Sequence, residues 1–269
     1  MRLSYAGRPA EAEAVRLIQE ALDAGVGFLD TADVYCETSA EVGHNERLIR
    51  RALQDRDEDV LVATKGGHVR LPDGSIGRNG KPAAIRAACE RSLMALGLDR
   101  IAVYYHHSPD PSVPIEESLG AISELQAEGK VAGVGVSNYN IAELERARTV
   151  VDVVAVQNRL SYADRESIAV MRHCEREGIA FCPWGVLGRS STAIGSSTAV
   201  AGIAHDRGLS AQRVAVAWTL AQASCVIPIV GARAFVNLAD CLAAPLLDLS
   251  EEELVLIERM DAPATRLTE

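Results

Sequence analysis

The strongest constraint on the fold is a strict alternation of helical and extended patterns along the whole chain. The segment from Glu11 to Ala24 places its apolar residues on one face and stops at Gly25, a common helix exit. The run Phe28-Leu29 that follows is short and apolar, which is typical of a buried strand. Repeated units of this kind imply a parallel sheet with right-handed crossovers, so the predicted class is α/β.

Seven extended runs are clear, which favours a closed (β/α)8 TIM barrel over an open sheet. The runs cover residues 28–29, 60–63, 101–105, 131–136, 153–156, 179–182 and 226–229. Only ten residues precede the first helix, so the first strand is predicted to be short, within Met1 to Tyr5, or missing. No Gly-rich or Pro-rich linker divides the chain, and such barrels commonly reach about 250 residues as one unit. Residues 1–269 are therefore predicted to form a single barrel domain.

Charge and composition narrow the range of partners. A formal net charge of -10 argues against nucleic acid or an anionic membrane surface as partner. The six cysteines lack CxxC spacing, and neither a signal peptide nor an apolar stretch of membrane-spanning length occurs. The histidines show no metal-ligand spacing. These features predict a reduced, cytoplasmic protein without a bound metal.

Three residues of complementary chemistry stand out as a candidate catalytic group. Asp30 and Lys65 each follow a short apolar run, which places them at the carboxyl ends of buried strands, the catalytic rim of a parallel barrel. A tyrosine acts as an acid near neutral pH only if its pKa of about 10 is lowered, and an ammonium held by a carboxylate does this. With Tyr35, the trio predicts a proton donor. In the alternative interpretation, Asp30 caps the following loop, the Tyr35 ring packs within that loop, and Lys65 is an ordinary charged residue at a strand end.

The longest predicted loop, Gly66 to Lys81, directly follows Lys65. A loop of that length beside a catalytic rim is commonly a wall of the substrate site.

An ordered set of segments resembles the aldo-keto reductases, NADPH-dependent (β/α)8-barrel enzymes, over nearly the whole chain. The segments are DTADVY, VLVATK, DRIAVYYHHSPDP, GKVAGVGVSN, VVAVQNRLS, FCPWGVLG and IPIVGAR. The resemblance implies hydride transfer from NADPH to the carbonyl carbon of a small-molecule aldehyde or ketone.

The resemblance implies four catalytic residues, which are Asp30, Tyr35, Lys65 and His107. Tyr35 would protonate the developing alkoxide, Lys65 would supply a positive field, and Asp30 would hold Lys65. His107 would donate to the carbonyl oxygen and orient it. His107 matches the family rather than His106, which is predicted to face the helices.

The same resemblance implies the cofactor contacts near the nicotinamide and the pyrophosphate. They are Ser137, Asn138 and Gln157 at the nicotinamide amide, Trp184 stacked on the ring, and Gly185 and Leu187 at the pyrophosphate. A local alternative for Ser137 and Asn138 is a helix cap. No GxGxxG loop occurs, which disfavours a Rossmann-type site.

The segment GAR implies contacts with the adenosine end of the cofactor. Gly231 and Arg233 match it, and its arginine pairs with the ribose 2′-phosphate, which predicts NADP rather than NAD. Alternatively, Arg233 is a solvated residue at the start of a helix. Cys241 stands where the family has an asparagine, while Asn237 and Asp240 retain part of the neighbouring contacts, so weaker binding by about 1 kcal/mol is expected.

The leading interpretation is a carbonyl reductase with Tyr35 as proton donor. The alternative, motivated by the shortened start, is a cofactor-binding regulatory subunit with little turnover. A third interpretation is an unstable product of a truncated reading frame.

Overall fold

The computed structural model describes residues 3–56, 59–188 and 198–260, and the chain divides into two compact units. The first unit comprises Met1–Val156 and Gly231–Phe235, and the second comprises Gln157–Val230 and Val236–Glu269. The assignment of residues 1–269 to a single barrel domain stays a prediction.

The first unit contains a sheet flanked in sequence by helices, as the alternation predicts. Its strands are β1 (Phe28–Asp30), β2 (Leu61–Gly66), β3 (His68–Arg70), β4 (Ile76–Arg78), β5 (Ile101–His106), β6 (Val131–Ser137) and β7 (Val153–Gln157, whose last residue falls in the second unit). Its helices are α1 (Glu11–Asp23), α2 (His44–Leu53), α3 (Pro82–Leu96), α4 (Ile115–Ala127) and α5 (Ile141–Arg148). Strands β1, β2, β5, β6 and β7 lie side by side in that order, and the pairs β1–β2, β2–β5 and β5–β6 are parallel.

The strand register sets the positions of the side chains that matter later. Asp30 pairs with Ala63, and Lys65 pairs with Tyr105. Because the strands are parallel, the ends of β1, β2 and β5 meet at one edge of the sheet. Helices end where the sequence signals predict, for example at Gly97, whose φ of 68° is the left-handed conformation that favours glycine.

The first residues of the described chain do not form a strand. Residues 3–7 form turns and a bend, although Leu3 and Ser4 are buried. The Ser4 hydroxyl hydrogen-bonds with His44 Nδ1 at 2.7 Å and accepts a bond from Asn45 Nδ2 at 3.1 Å. The predicted first strand is therefore missing from the described residues, and side-chain bonds to α2 hold this segment instead.

The loop from Gly66 to Lys81 contains the antiparallel hairpin β3–β4. At its turn, Asp73 Oδ1 accepts bonds from the Ser75 N–H at 2.9 Å and the Ser75 hydroxyl at 2.7 Å. The segment predicted as a loop is thus an ordered hairpin with a side-chain-stabilised turn.

The second unit contains mainly helices around a core that includes Trp218. Its elements are α6 (Ile168–Glu177), β8 (Ala180–Phe181), α7 (Thr198–Arg207), α8 (Ala211–Leu220), α9 (Phe235–Leu242, whose first residue falls in the first unit) and α10 (Glu251–Met260). The predicted strand 226–229 is reduced to one bridge, between Val226 and Phe181, flanked by hydrogen bonds of 2.8 Å. Its partner β8 is only two residues long, and Pro228 has no N–H to donate.

None of the described helices has the length and apolar character needed to cross a membrane.

Gly135 in β6 gives room to a buried aromatic ring. It pairs with Tyr105 of β5, which is fully buried. A Cβ atom at Gly135 would come closer to the Tyr105 ring than non-bonded carbons approach. The two strands can therefore hold Tyr105 in the sheet only because residue 135 has no side chain.

We expect Gly135→Ala to lower the free energy of unfolding by about 1–3 kcal/mol, because the added methyl overpacks this part of the sheet. Gly120→Ala in α4 is the matched control, since a Cβ there meets no atom within 4 Å. It should leave stability unchanged or raise it by up to about 1 kcal/mol. Urea unfolding of both variants measures the difference, and equal effects would contradict the explanation.

Two buried carboxyl groups, Asp33 and Glu46, lie close enough to interact. The Glu46 carboxylate accepts a bond from the Thr64 hydroxyl at 2.7 Å, and Arg91 Nη2 lies 3.9 Å from Asp33 Oδ2. Burial, followed by the charge of Glu46, raises the pKa of Asp33 to about 8, and Arg91 opposes this shift. Burial also raises the pKa of Glu46. Asp33 is therefore mainly protonated at neutral pH.

Titration of Asp33 should make stability fall as pH rises. Between the unfolded pKa of 3.8 and the folded pKa of about 8, the folded protein holds a proton that the unfolded chain has released. Asp33→Asn removes this dependence on pH. The free energy of unfolding of the variant, relative to that of the wild type, should therefore increase by about 2–4 kcal/mol from pH 5 to pH 9, at about 1.4 kcal/mol per pH unit. Chemical unfolding across this range measures it. The same substitution at the exposed Asp59 is the control. A flat difference for Asp33→Asn, or an equal slope in both variants, would refute the assignment.

Candidate active site

A buried ion pair joins the ends of β1 and β2. Lys65 Nζ donates to both carboxylate oxygens of Asp30 and to the carbonyl oxygen of Thr31, each at 2.7 Å. The Lys65 side chain is completely buried. Burial is the largest single influence and lowers the pKa of Lys65, but the charge of Asp30 and contact with Tyr35 together raise it above its ordinary value. The ammonium therefore stays charged at neutral pH.

Tyr35 lies next to this ammonium. Lys65 Nζ is 5.2 Å from the centre of the Tyr35 ring, and the proximity of the tyrosine contributes to the raised pKa of Lys65. The loop that carries Tyr35 is held by main-chain bonds, from the Thr31 N–H to Ala63 and from the Gly43 N–H to Asp33. Tyr35 is partly exposed, so the site combines a buried charge with an accessible phenol.

His107 completes the group that the sequence predicts. Its ring lies 6.0 Å from the Tyr35 ring, edge-on at 72°. The main chain of His107 is fixed at both groups: its N–H donates to Gly66 at 2.8 Å, and its carbonyl accepts from Asn138 Nδ2 at 2.9 Å. The structure thus brings Asp30, Tyr35, Lys65 and His107 together in the first unit.

His106 is placed differently from its neighbour. It is fully buried, and its Nδ1 hydrogen-bonds with the Tyr139 hydroxyl at 2.6 Å. Burial lowers the pKa of His106 to about 4. His106 is therefore neutral at neutral pH and bonded to Tyr139, and its orientation toward the helices stays a prediction.

Three further residues surround the group and were not identified from the sequence. The Tyr5 ring lies 5.9 Å from that of Tyr35, and the Arg70 guanidinium lies 5.4 Å above the Tyr5 ring. The His68 ring stacks on His107 at 3.9 Å. The length of the loop after Lys65 is the sequence signal for His68 and Arg70, and the predicted first strand within Met1 to Tyr5 is the signal for Tyr5.

Ser137 and Asn138 stand at the end of β6 beside the catalytic group. Asn138 has a φ of 62°, and its Nδ2 donates to Ser137 Oγ at 3.0 Å as well as to His107. The cap of α5 is Asn140, whose side chain accepts from the Glu143 N–H. The local alternative of a helix cap therefore does not apply to Ser137 or Asn138.

Gly231 and Arg233 also belong to the first unit, and both are exposed. Arg233 Nη1 lies 3.7 Å from the place where a Cβ of Gly7 would stand. The guanidinium is therefore near the first turn of the described chain.

The remaining candidates for cofactor contacts lie in the second unit. Main-chain bonds hold Trp184, whose N–H donates to Asn158 and whose carbonyl accepts from Leu160. The Arg159 guanidinium lies 4.1 Å above the Trp184 ring. Gln157 is buried, Gly185 has a φ of 73°, Leu187 packs against the core of the unit, and Asn237 is exposed.

Asp240 already has strong partners in the second unit. Its carboxylate accepts from Arg213 at 2.6 and 3.0 Å and from the Ser210 hydroxyl. Three bonds from two side chains therefore already share this carboxylate.

Within the described parts of the chain, no three or more His, Cys, Asp and Glu side chains form a group that could hold a metal ion.

Comparison with known proteins identifies the family. The chain matches the model of the Aldo/keto reductase family over residues 1–262. Uncharacterized oxidoreductase C215.11c of Schizosaccharomyces pombe is 30% identical over 245 residues, covering 91% of this chain and 78% of the relative.

Two solved structures have the same fold. Glycerol dehydrogenase AKR11B4 from Gluconobacter oxydans is 26% identical, with a TM-score of 0.84 over 96% of this chain and 88% of its own. An aldo/keto reductase from Klebsiella pneumoniae, solved in complex with NADP and acetate, is 24% identical, with a TM-score of 0.83 over 98% of this chain and 91% of its own. These similarities confirm the predicted α/β class and (β/α)8 barrel fold. The chain therefore belongs to the aldo/keto reductase family of oxidoreductases, which act on carbonyl compounds.

Proposed function

We propose that the protein is an NADP-dependent reductase of aldehydes or ketones, with Tyr35 as the proton donor. The observation that supports this function best is the contact between the buried Lys65–Asp30 pair and Tyr35, with His107 edge-on to the same phenol. A carbonyl that accepts hydride accumulates negative charge on its oxygen, so it needs converging donors rather than a nucleophile.

The reaction consumes one carbonyl, one NADPH and one proton, and yields one alcohol and NADP⁺. When bound, NADPH would supply the hydride, which would carry both electrons to the carbonyl carbon. The Tyr35 O–H bond breaks as its proton passes to the carbonyl oxygen, and the phenolate then regains a proton from solvent. His107 donates a hydrogen bond to the same oxygen and orients it.

Lys65 and Asp30 act on Tyr35 rather than on the substrate. The charged ammonium stabilises the phenolate that remains after proton transfer. Asp30 keeps the ammonium charged despite complete burial, because an isolated buried ammonium would lose its proton. The pair therefore provides a preorganised positive field.

The polar groups of the first unit suit a phosphorylated dinucleotide. Ser137 and Asn138 present hydroxyl and amide groups beside His107, which suits contacts with a nicotinamide amide. Arg233 offers an exposed guanidinium, which suits a ribose 2′-phosphate. The roles of Gly231, Gln157, Trp184, Gly185, Leu187, Asn237 and Asp240 stay predictions. Cytoplasmic location and the expected absence of nucleic-acid and membrane partners stay predictions as well.

Tyr35→Phe tests the proton donor. We expect kcat to fall by about 100-fold or more with NADPH and a panel of aldehydes, because general acid catalysis contributes about 10²- to 10⁴-fold. Binding of NADPH should change little, since the ring remains. Loss of nicotinamide absorbance measures turnover, and fluorescence titration measures binding.

Tyr5→Phe is the matched control, because it removes a neighbouring phenol hydroxyl and should keep most of the activity. Wild-type kcat in Tyr35→Phe would contradict the assignment. Tight NADPH binding without turnover of any carbonyl by the wild type would favour the regulatory-subunit alternative.

Arg233→Ala tests the preference for NADP. Loss of charge-assisted bonds to a phosphate should raise the Kd for NADPH about tenfold or more and leave the Kd for NADH unchanged. Arg172→Ala removes the same charge from an exposed position on α6 and serves as the control. Equal weakening by both variants would show general electrostatic attraction instead of a specific contact.

A further inference from the structure

The β3–β4 hairpin places His68 against the proposed catalytic histidine. The rings of His68 and His107 are stacked, with centroids 3.9 Å apart and planes at 22°. Gly67 makes the turn into the hairpin with a φ of 99°, and a Cβ there would lie 2.8 Å from the His106 ring. Only glycine at residue 67 therefore lets the chain pass His106 and bring His68 over His107.

A second contact fixes the His68 ring in its own plane. His68 Nε2 hydrogen-bonds with the hydroxyl of Ser108, the residue after His107, at 2.7 Å. The face of the His68 ring thus contacts the His107 ring, and the edge of the His68 ring contacts Ser108. Rotation about either side-chain bond of His68 would break at least one of these contacts.

The electrostatic surroundings keep His68 neutral. Burial, followed by the positive charges of Arg78 and Lys65, lowers the pKa of His68 to about 4. At neutral pH the ring therefore covers His107 without adding a charge that would compete with Lys65 near Tyr35.

Contacts on two sides define the orientation of His107. The Tyr35 ring meets it edge-on, whereas His68 meets it face to face. A hydrogen-bond donor must be aimed at the substrate oxygen, and a misplacement of about 1 Å can cost about 100-fold in rate. We propose that His68 is a positioning residue, which holds the His107 ring in the orientation that donates to the carbonyl oxygen. This role rests on the proposed reductase function.

Variants of His68 separate positioning from simple anchoring of the hairpin. We expect His68→Ala to lower kcat about tenfold, because an unrestrained His107 ring is less often aligned. The Kd for NADPH should stay within about twofold, since the cofactor contacts are assigned elsewhere. His68→Phe keeps a flat ring on His107 and should restore kcat to within about threefold of wild type.

Asp73→Ala is the matched control for hairpin order. It removes the acceptor of both turn bonds from Ser75 and leaves His68 and Ser108 unchanged. Near wild-type kcat is expected. An equal loss of kcat in Asp73→Ala and His68→Ala would show that His68 only anchors the hairpin, and wild-type kcat in His68→Ala would also overturn the proposal.

An NMR measurement tests the stacking without turnover. The ring-proton signals of His107, assigned by their absence in His107→Gln, should lose the upfield shift from the stacked ring in His68→Ala and keep an upfield shift in His68→Phe. Unshifted signals in His68→Ala would overturn the proposal. If the wild type turns over no carbonyl, both the proposed function and this role fail, whereas an active wild type with unaffected His68→Ala refutes this role alone.

Discussion

The buried ion pair between Lys65 and Asp30 is the interaction on which the site depends. Complete burial of an ammonium costs several kcal/mol, and the loss is offset only by close opposite charge and well-formed hydrogen bonds. Asp30 and Thr31 supply these bonds at 2.7 Å. Because Asp30 ends β1 and Lys65 lies near the end of β2, the parallel pairing of the strands holds the charges together. The sheet therefore sets the electrostatics around Tyr35.

Much of the architecture could be predicted because it follows from local periodicity. Alternating helical and extended patterns predicted the order of elements, and parallel strands bring their carboxyl ends to one edge. This reasoning is sufficient to place Asp30 and Lys65 together. The choice of His107 over His106 came from the family resemblance, and the structure separates the two by pairing His106 with Tyr139.

Other features could not be predicted, because they arise from contacts between distant segments. The stacking of His68 on His107 depends on a hairpin whose short strands carry weak patterns, and on the passage of Gly67 beside His106. The strand predicted at residues 226–229 has the right composition, but a two-residue partner and Pro228 limit its pairing. Apolar composition alone does not reveal how long a partner strand will be.

Asn45 connects the first turn of the described chain to the loop that carries Tyr35. Its side-chain oxygen accepts from the Thr31 hydroxyl at 2.8 Å, while its amide nitrogen donates to Ser4 at 3.1 Å. Displacing Ser4 would leave the Asn45 amide nitrogen without this bond, and Asn45 would then hold the Thr31 hydroxyl less firmly. A substitution that displaces Ser4 would therefore disturb the tyrosine loop through a single shared side chain.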